Sequence, residues 1–289
     1  MYQVRELRKL NAIYSTSVLK ELGSKGYSKK IVALLNETNL IGKFAHHNLT
    51  FFFEKIFDAL LENYRSEYIY KSAIINKILF GRHSINTASM FTEFAVNGSI
   101  ADVAFFNGTS TVYEIKTEFD DFKRLESQLS SYKRVFEKIF IVTYEQCVTS
   151  LLKQLDDNIG IIVLTPNYSL RTIRESHSNF QQLDSSSIFK CFRKTEYLTV
   201  IKKYYGHIPE VPNTQIYKLS LELVKKINPL DLHNDFVEIL KQRNKSEKFK
   251  NFITFLPRSL KALGSTTEFT NVEKDNIIRS LNNTVIYIN

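Results

Sequence analysis

The chain has 289 residues, 43% of them hydrophobic and 24% charged, with nine Gly and five Pro. That balance excludes a disordered, collagen-like or linker-dominated protein and leaves room for one core with helical additions, or for two small domains. Lys and Arg number 39 against 30 Asp and Glu, a net charge of +9 that permits a polyanionic partner without requiring one. Two cysteines, Cys147 and Cys191, cannot build a disulfide framework, an all-cysteine zinc site or a four-cysteine iron–sulfur cluster, so a reducing cytoplasm is the expected compartment. The first eighteen residues carry scattered charge and no apolar run of leader type. No eighteen-residue apolar stretch follows, and neither secretion nor a membrane span is expected.

The first elements are written at helical spacing. Val4, Leu7, Leu10 and Ile13 recur every three residues; after a break at Gly23 and Gly26 come Ile31, Leu34 and Leu35. A third helix is predicted from about Asn48 with Phe52, Phe53, Ile56, Leu60 and Leu61. A fourth runs through Tyr68, Ala73, Ile74 and Ile78 to stop near Gly81.

From about Ser89 the pattern changes to three β-type runs, 91–96, 100–106 and 111–117, separated by Asn97-Gly98 and Asn107-Gly108. A helix is predicted from about Asp121 to Phe136, with Asp120 or Asp121 placed to cap it. The run 138–143, a helix near 149–155 and the run 160–165 follow, both runs apolar throughout as buried central strands are. The order β-β-β-α-β-α-β describes a mixed α/β sheet flanked by helices, with helical extensions at both ends. Three segments are expected: an amino-terminal helical region (1–66), an α/β core (67–170) and a carboxy-terminal helical region (187–289). The last holds seventeen Lys plus Arg against ten Asp plus Glu, so +7 of the net +9 lies there; any single charge run reads as a solvated helical face, but the asymmetry makes the region a candidate surface for contacting a phosphate backbone.

The residues that carry chemistry are Asp102 and the tripeptide Glu114-Ile115-Lys116. Charges inside apolar strands are costly unless paired or metal-bound. Two carboxylates and the Ile115 carbonyl offer the hard oxygen ligands that Mg²⁺ or Mn²⁺ accepts. Lys116, two residues beyond Glu114, shares its strand face and can hold an attacking water or stabilise negative charge.

Asp102…Glu114-x-Lys116, on a hairpin followed by a helix and a buried strand, resembles the PD-(D/E)XK, restriction-endonuclease-like nuclease superfamily over about residues 67–166. The following helix carries Gln128-x-x-x-Tyr132, which is similar to the Gln-x-x-x-Tyr element of the RecB-like branch; the segment is also similar to a largely uncharacterised bacterial group within the superfamily. The resemblance implies a metal-dependent nuclease that hydrolyses phosphodiester bonds, DNA in preference to RNA, in phage defence, mobile-element or repair settings. It implies that Gln128 and Tyr132 border the pocket and touch the nucleic acid. An additional acidic residue is expected from Glu93, favoured because its strand adjoins the hairpin, or from Glu67, whose place at a helix start the dipole already explains. Ala101 stands where the motif has Pro.

With no phosphate-binding loop in the sequence, translocation would need a separate ATPase partner; a homodimer is the other assembly expected. The alternative reading is an inactive nuclease fold that binds nucleic acid or partner proteins. Alanine at Asp102, Glu114 or Lys116 is expected to abolish cleavage with thermal unfolding nearly unchanged.

One geometric condition is attached. A two-residue turn at Asn107-Gly108 pairs residue 102 with 113, and a four-residue loop pairs it with 115, either of which turns Asp102 away from Glu114. The reading therefore requires an odd-length loop, or a bulge near Asp102, with Gly108 free to take positive φ.

Overall fold

The computed structural model describes residues 2–83, 86–243 and 246–285. Six helices come first: α1 (Val4–Leu10), α2 (Thr16–Lys25), α3 (Lys29–Glu37), α4 (Ile41–Phe44), α5 (Leu49–Asn63) and α6 (Glu67–Ile74), the last continuing as a π-turn over Ile75–Leu79. Just beyond it the backbone leaves no room for a side chain at Gly81, where a Cβ would lie 2.5 Å from the Lys77 carbonyl oxygen. Then follow β1 (Ser89–Val96), β2 (Ser99–Phe106), β3 (Ser110–Ile115), α7 (Leu125–Lys133), β4 (Lys138–Thr143), α8 (Val148–Gln154), β5 (Gly160–Leu164) and β6 (Leu170–Arg174). The chain continues through α9 (Ser185–Phe189), α10 (Lys194–Tyr205), α11 (Asn213–Val224), α12 (Pro229–Gln242), α13 (Glu247–Phe255), α14 (Lys261–Thr266) and α15 (Asn271–Asn282).

The described residues form two compact units. One gathers residues up to 83, 164–170 and 246–285; the other holds 86–163 and 171–243. The boundaries cross the expected segments: α6 joins the amino-terminal helices, and the basic carboxy-terminal region divides at Arg243. Its charge divides with it, ten basic against six acidic residues in 187–243 and six against four in 246–285.

In the first unit α15 packs along α2, where Asn276 Nδ2 donates to the Gly23 carbonyl at 2.8 Å and Lys20 pairs with Glu273 at 3.2 Å. Tyr14, Phe53, Phe57 and Tyr68 form an aromatic core, with Tyr14 and Tyr68 stacked at 4.6 Å.

The second unit is built on the sheet, ordered β1-β2-β3-β4-β5-β6. Neighbours β1/β2 and β2/β3 are antiparallel, and β3/β4 and β4/β5 are parallel. This is the mixed α/β sheet that the order of runs implies, with β6 added at the edge. Asn97 and Gly98 both take positive φ, 48° and 84°, closing the two-residue turn between β1 and β2. The core lies between the sheet and helices α7, α9, α10 and α12, where Phe94, Phe106, Phe136 and Phe236 meet at centroid distances of 5.2–6.4 Å.

Candidate active site

The site grows out of the β2–β3 hairpin. Phe106 pairs with Ser110, so the connection is the three-residue loop 107–109, closed by Asn107 N–H donating to the Thr109 carbonyl at 3.0 Å with Gly108 at φ 70°. An odd loop is what the spacing required. The ladder runs to Val103↔Tyr113, and continuing it by one step sets Asp102 opposite Glu114 with both side chains on one face. There the strands part: Asp102 Oδ2 accepts the Ile115 N–H at 2.7 Å, while Lys116 N–H has turned to the Val142 carbonyl on β4 at 2.9 Å.

On the other side of β2 a second irregularity faces the same residue. Thr92↔Val103 and Phe94↔Ala101 pair, which brings Glu93 opposite Asp102. Glu93 holds φ 52°, a left-handed conformation that costs a side-chain-bearing residue free energy and that concentrates at functional sites. A carboxylate oxygen of Glu93 lies within 4.8 Å of one on Asp102.

Glu114 is the centre of the polar network. It is 2% exposed, and both of its oxygens are engaged. Lys116 Nζ donates to Oε1 at 3.0 Å and also to Gln128 Oε1 at 3.1 Å; Gln128 Nε2 donates to Glu114 Oε1 at 2.7 Å. The hydroxyl of Tyr132, a ring with no exposed surface, lies 2.7 Å from Glu114 Oε2 and 2.9 Å from the Ile100 carbonyl. Burial, and then the Glu114 charge, hold the Tyr132 phenol well above its ordinary pKa, so it remains a donor. Helical spacing of i and i+4 is what lets Gln128 and Tyr132 reach one carboxylate. Thr143 Oγ1 fixes the Lys116 carbonyl at 2.8 Å.

Glu114, Lys116, Gln128 and Tyr132 are thus in direct contact, and Asp102 joins them through Ile115. Glu67 opens α6, exposed, and pairs with Lys71 at 2.5 Å. One local expectation is corrected. Helix α7 begins at Leu125, and neither Asp120 nor Asp121 caps it: Asp120 Oδ2 accepts from Thr117 N–H at 2.8 Å and Thr117 Oγ1 at 2.7 Å, closing a turn after β3, and Asp121 Oδ1 accepts from Lys123 N–H at 3.2 Å. Sequence reasoning missed Thr143 and the Ile100 carbonyl. A buried threonine in an apolar run gives a faint signal, and a main-chain carbonyl gives none.

The donors near the hairpin are all hard oxygen atoms. Asp102 Oδ1, the remaining lone pair of Glu114 Oε2, a Glu93 oxygen and the Ile115 carbonyl are all oxygen ligands of the kind Mg²⁺ and Mn²⁺ take, with water completing the shell.

In class, the second unit is a mixed α/β domain whose central hairpin carries a buried carboxylate–lysine pair. The sequence model of the family described as Bacteriophage P4 protein cII matches residues 61–264. The chain belongs to that family, and the matched segment contains each residue of the site. Protein cII of Enterobacteria phage P4 is 27% identical over 185 residues, covering 61% of this chain and 60% of the relative. The match therefore spans about 60% of that relative's length. A solved structure, the SPO1766 protein of unknown function from Silicibacter pomeroyi, aligns at 16% identity and a TM-score of 0.29, over 42% of this chain and 82% of its own. Among the described residues no helix is long and apolar enough to cross a membrane.

Proposed function

We propose that this protein is a metal-dependent nuclease of the PD-(D/E)XK kind, hydrolysing phosphodiester bonds of nucleic acid, DNA in preference to RNA. The observation that carries the reading is the closed network of Lys116, Glu114, Gln128 and Tyr132 next to an Asp102 locked onto the Ile115 amide. An ordinary structural ion pair does not call for two further side chains on one carboxylate, nor for a left-handed glutamate opposite the neighbouring aspartate.

A bound Mg²⁺ or Mn²⁺ would neutralise charge on the phosphate and acidify the attacking water. Asp102, Glu114 and the Ile115 carbonyl would hold it, with Glu93 as the additional carboxylate. Lys116 presents its ammonium from a fixed position, since Glu114 and Gln128 take two of its three protons. The third can hold the water or a phosphate oxygen. Gln128 has one orientation open to it, with its oxygen toward Lys116 and its amide nitrogen toward Glu114, so it keeps the base of the pocket in register. Both cysteines are free thiols.

The test is cleavage of single- and double-stranded DNA and RNA with Mg²⁺, Mn²⁺ or EDTA, comparing the wild type with Asp102→Asn and Glu114→Gln. Metal-dependent cleavage lost in both variants supports the reading; cleavage retained in Asp102→Asn overturns it. A second reading, nucleic-acid binding without turnover, draws on the three donors that already engage Glu114. It predicts salt-sensitive binding that EDTA leaves unchanged.

A further inference from the structure

The unit that lacks the hairpin carries an exposed cluster of rings and cations at the start of α5. Asn48 caps the helix, its Oδ1 accepting from Phe51 N–H at 2.9 Å. The preceding residue, His47, lays its imidazole over the Phe51 ring at 4.1 Å and 17°, a parallel stack at the surface. Phe51 is 37% exposed, and His46 and His47 are exposed beside it. The stack is fixed from beneath. His47 N–H donates to the Phe44 carbonyl at 2.9 Å, the His47 carbonyl accepts from Val285 N–H at 3.0 Å, and the buried Phe44 ring meets Phe51 at 6.4 Å.

Two exposed lysines flank the rings. Lys55, one turn further along α5, holds its ammonium 5.5 Å from the Phe51 centroid. Lys43 lies 4.5 Å from the Tyr2 centroid and 5.8 Å from that of Phe44. Between residues 43 and 55 the single acidic residue is Glu54, and its carboxylate is turned to Ser259 N–H at 2.8 Å and to Arg258 at 3.3 Å. The patch is therefore cationic, with flat rings between its charges.

We propose that this surface binds single-stranded nucleic acid, an unpaired base stacking on the His47–Phe51 pair while Lys43 and Lys55 contact the flanking phosphates. Base stacking on an aromatic platform with cations alongside is the physical basis of single-strand binding, and it is tolerant of sequence because every base has a π-face. A duplex keeps its bases stacked internally and cannot use the rings, so the surface selects single strands. The inference is independent of the nuclease reading, since it concerns other residues and needs no metal.

The experiment is fluorescence anisotropy of the full chain in EDTA with a labelled oligothymidylate of about twenty nucleotides and a duplex of equal length. The wild type is expected to favour the single strand. Phe51→Ala and His47→Ala each weaken that binding about 5- to 150-fold, the equivalent of about 1–3 kcal/mol per stacked base, while Phe51→Tyr, which keeps the platform, stays within about twofold. Lys43→Gln with Lys55→Gln flattens the slope of log K against log salt by about 1.4. Equal affinity for duplex, no affinity for either strand form, or unchanged binding in both Phe51→Ala and His47→Ala overturns the proposal. Circular dichroism melts identify any variant that fails to fold, and His47→Ala, at an exposed position outside the helix, then decides the outcome. Because EDTA prevents turnover, a chain that never cleaves is still expected to bind the single strand, and the two readings fail separately.

Discussion

The hydroxyl of Tyr132 stands 2.7 Å from Glu114 Oε2 and 2.9 Å from the Ile100 carbonyl, one proton facing two acceptors. A hydrogen bond to a charged acceptor contributes about 1.5–3 kcal/mol, so the carboxylate is the stronger claimant. Tyr132 acts here on Glu114 and is too deeply buried to touch a substrate, unlike the role implied by the resemblance. In the proposed nuclease, Tyr132→Phe should lower kcat by about 10- to 100-fold and raise the Mn²⁺ concentration giving half-maximal rate, with KM for the oligonucleotide unchanged. A raised KM with kcat intact would assign Tyr132 to substrate binding instead.

Glu114→Ala is a poor test of chemistry, contrary to the expectation that alanine at this position leaves unfolding nearly unchanged. It strands the Lys116 ammonium in a buried site, and breaking a buried pair costs about 3–5 kcal/mol. Chemical denaturation should show Glu114→Ala destabilised on that scale and Glu114→Gln less, since the glutamine oxygen can still accept from Lys116 while its amide nitrogen donates to the Tyr132 hydroxyl oxygen. Equal stability of the two would mean that the pair contributes little to folding.

His233 on α12 gives the pH dependence. It is 2% exposed, and its Nε2 meets Ser110 Oγ at 2.6 Å. Ser110 Oγ also accepts from Glu137 N–H, and His233 Nδ1 is buried without a hydrogen-bond partner among the described residues, so a protonated ring would leave one N–H unsatisfied. Burial pushes the His233 pKa down to about 4. The unfolded chain then binds the extra proton between roughly pH 6.5 and 4, so stability is full above that window and falls as pH drops through it, by about 3 kcal/mol at most. His233→Gln should flatten this acid limb in denaturation curves taken between pH 4 and 7. An unchanged limb would place the acid sensitivity elsewhere.

Gly160 opens β5 against β4 because a Cβ there would lie 2.3 Å from the Phe140 ring and 2.9 Å from the Ser176 nitrogen. Phe140 is itself stacked on Tyr113 at 5.6 Å and cannot swing aside freely. Gly160→Ala is expected to cost about 1–3 kcal/mol, read as a lower midpoint in urea; a neutral result would mean that Phe140 repacks.

How much of this was legible depends on range. The dipeptides Asn97-Gly98 and Asn107-Gly108 look alike, yet one makes a two-residue turn and the other sits in a three-residue loop; only the placement of carboxylates on either side of the second anticipated an odd number. The apolar runs of β4 and β5 and the i, i+4 relation of Gln128 to Tyr132 are local facts, and sequence reading found them. Strand β6 escaped because Leu170–Arg174 is a short edge strand with exposed Arg171 and Thr172 and no clear alternation. The division into units escaped for a different reason. Nothing local in 246–285 states that its partner is α2, more than two hundred residues earlier, since an amphipathic stripe specifies burial without naming what buries it.

The packing of α15 on α2 has a consequence for the order in which the protein can be made. A Cβ at Gly23 would come within 3.0 Å of the Glu273 Cβ, so the two helices meet closely through a residue made early and one made late. During synthesis, α1 to α6 emerge without the helix that completes their core. The sheet unit has all its strands by Arg174 and its covering helices by Arg243, so it can close first. The amino-terminal helices gain the segment that covers their apolar faces only once residues 246–285 have left the ribosome.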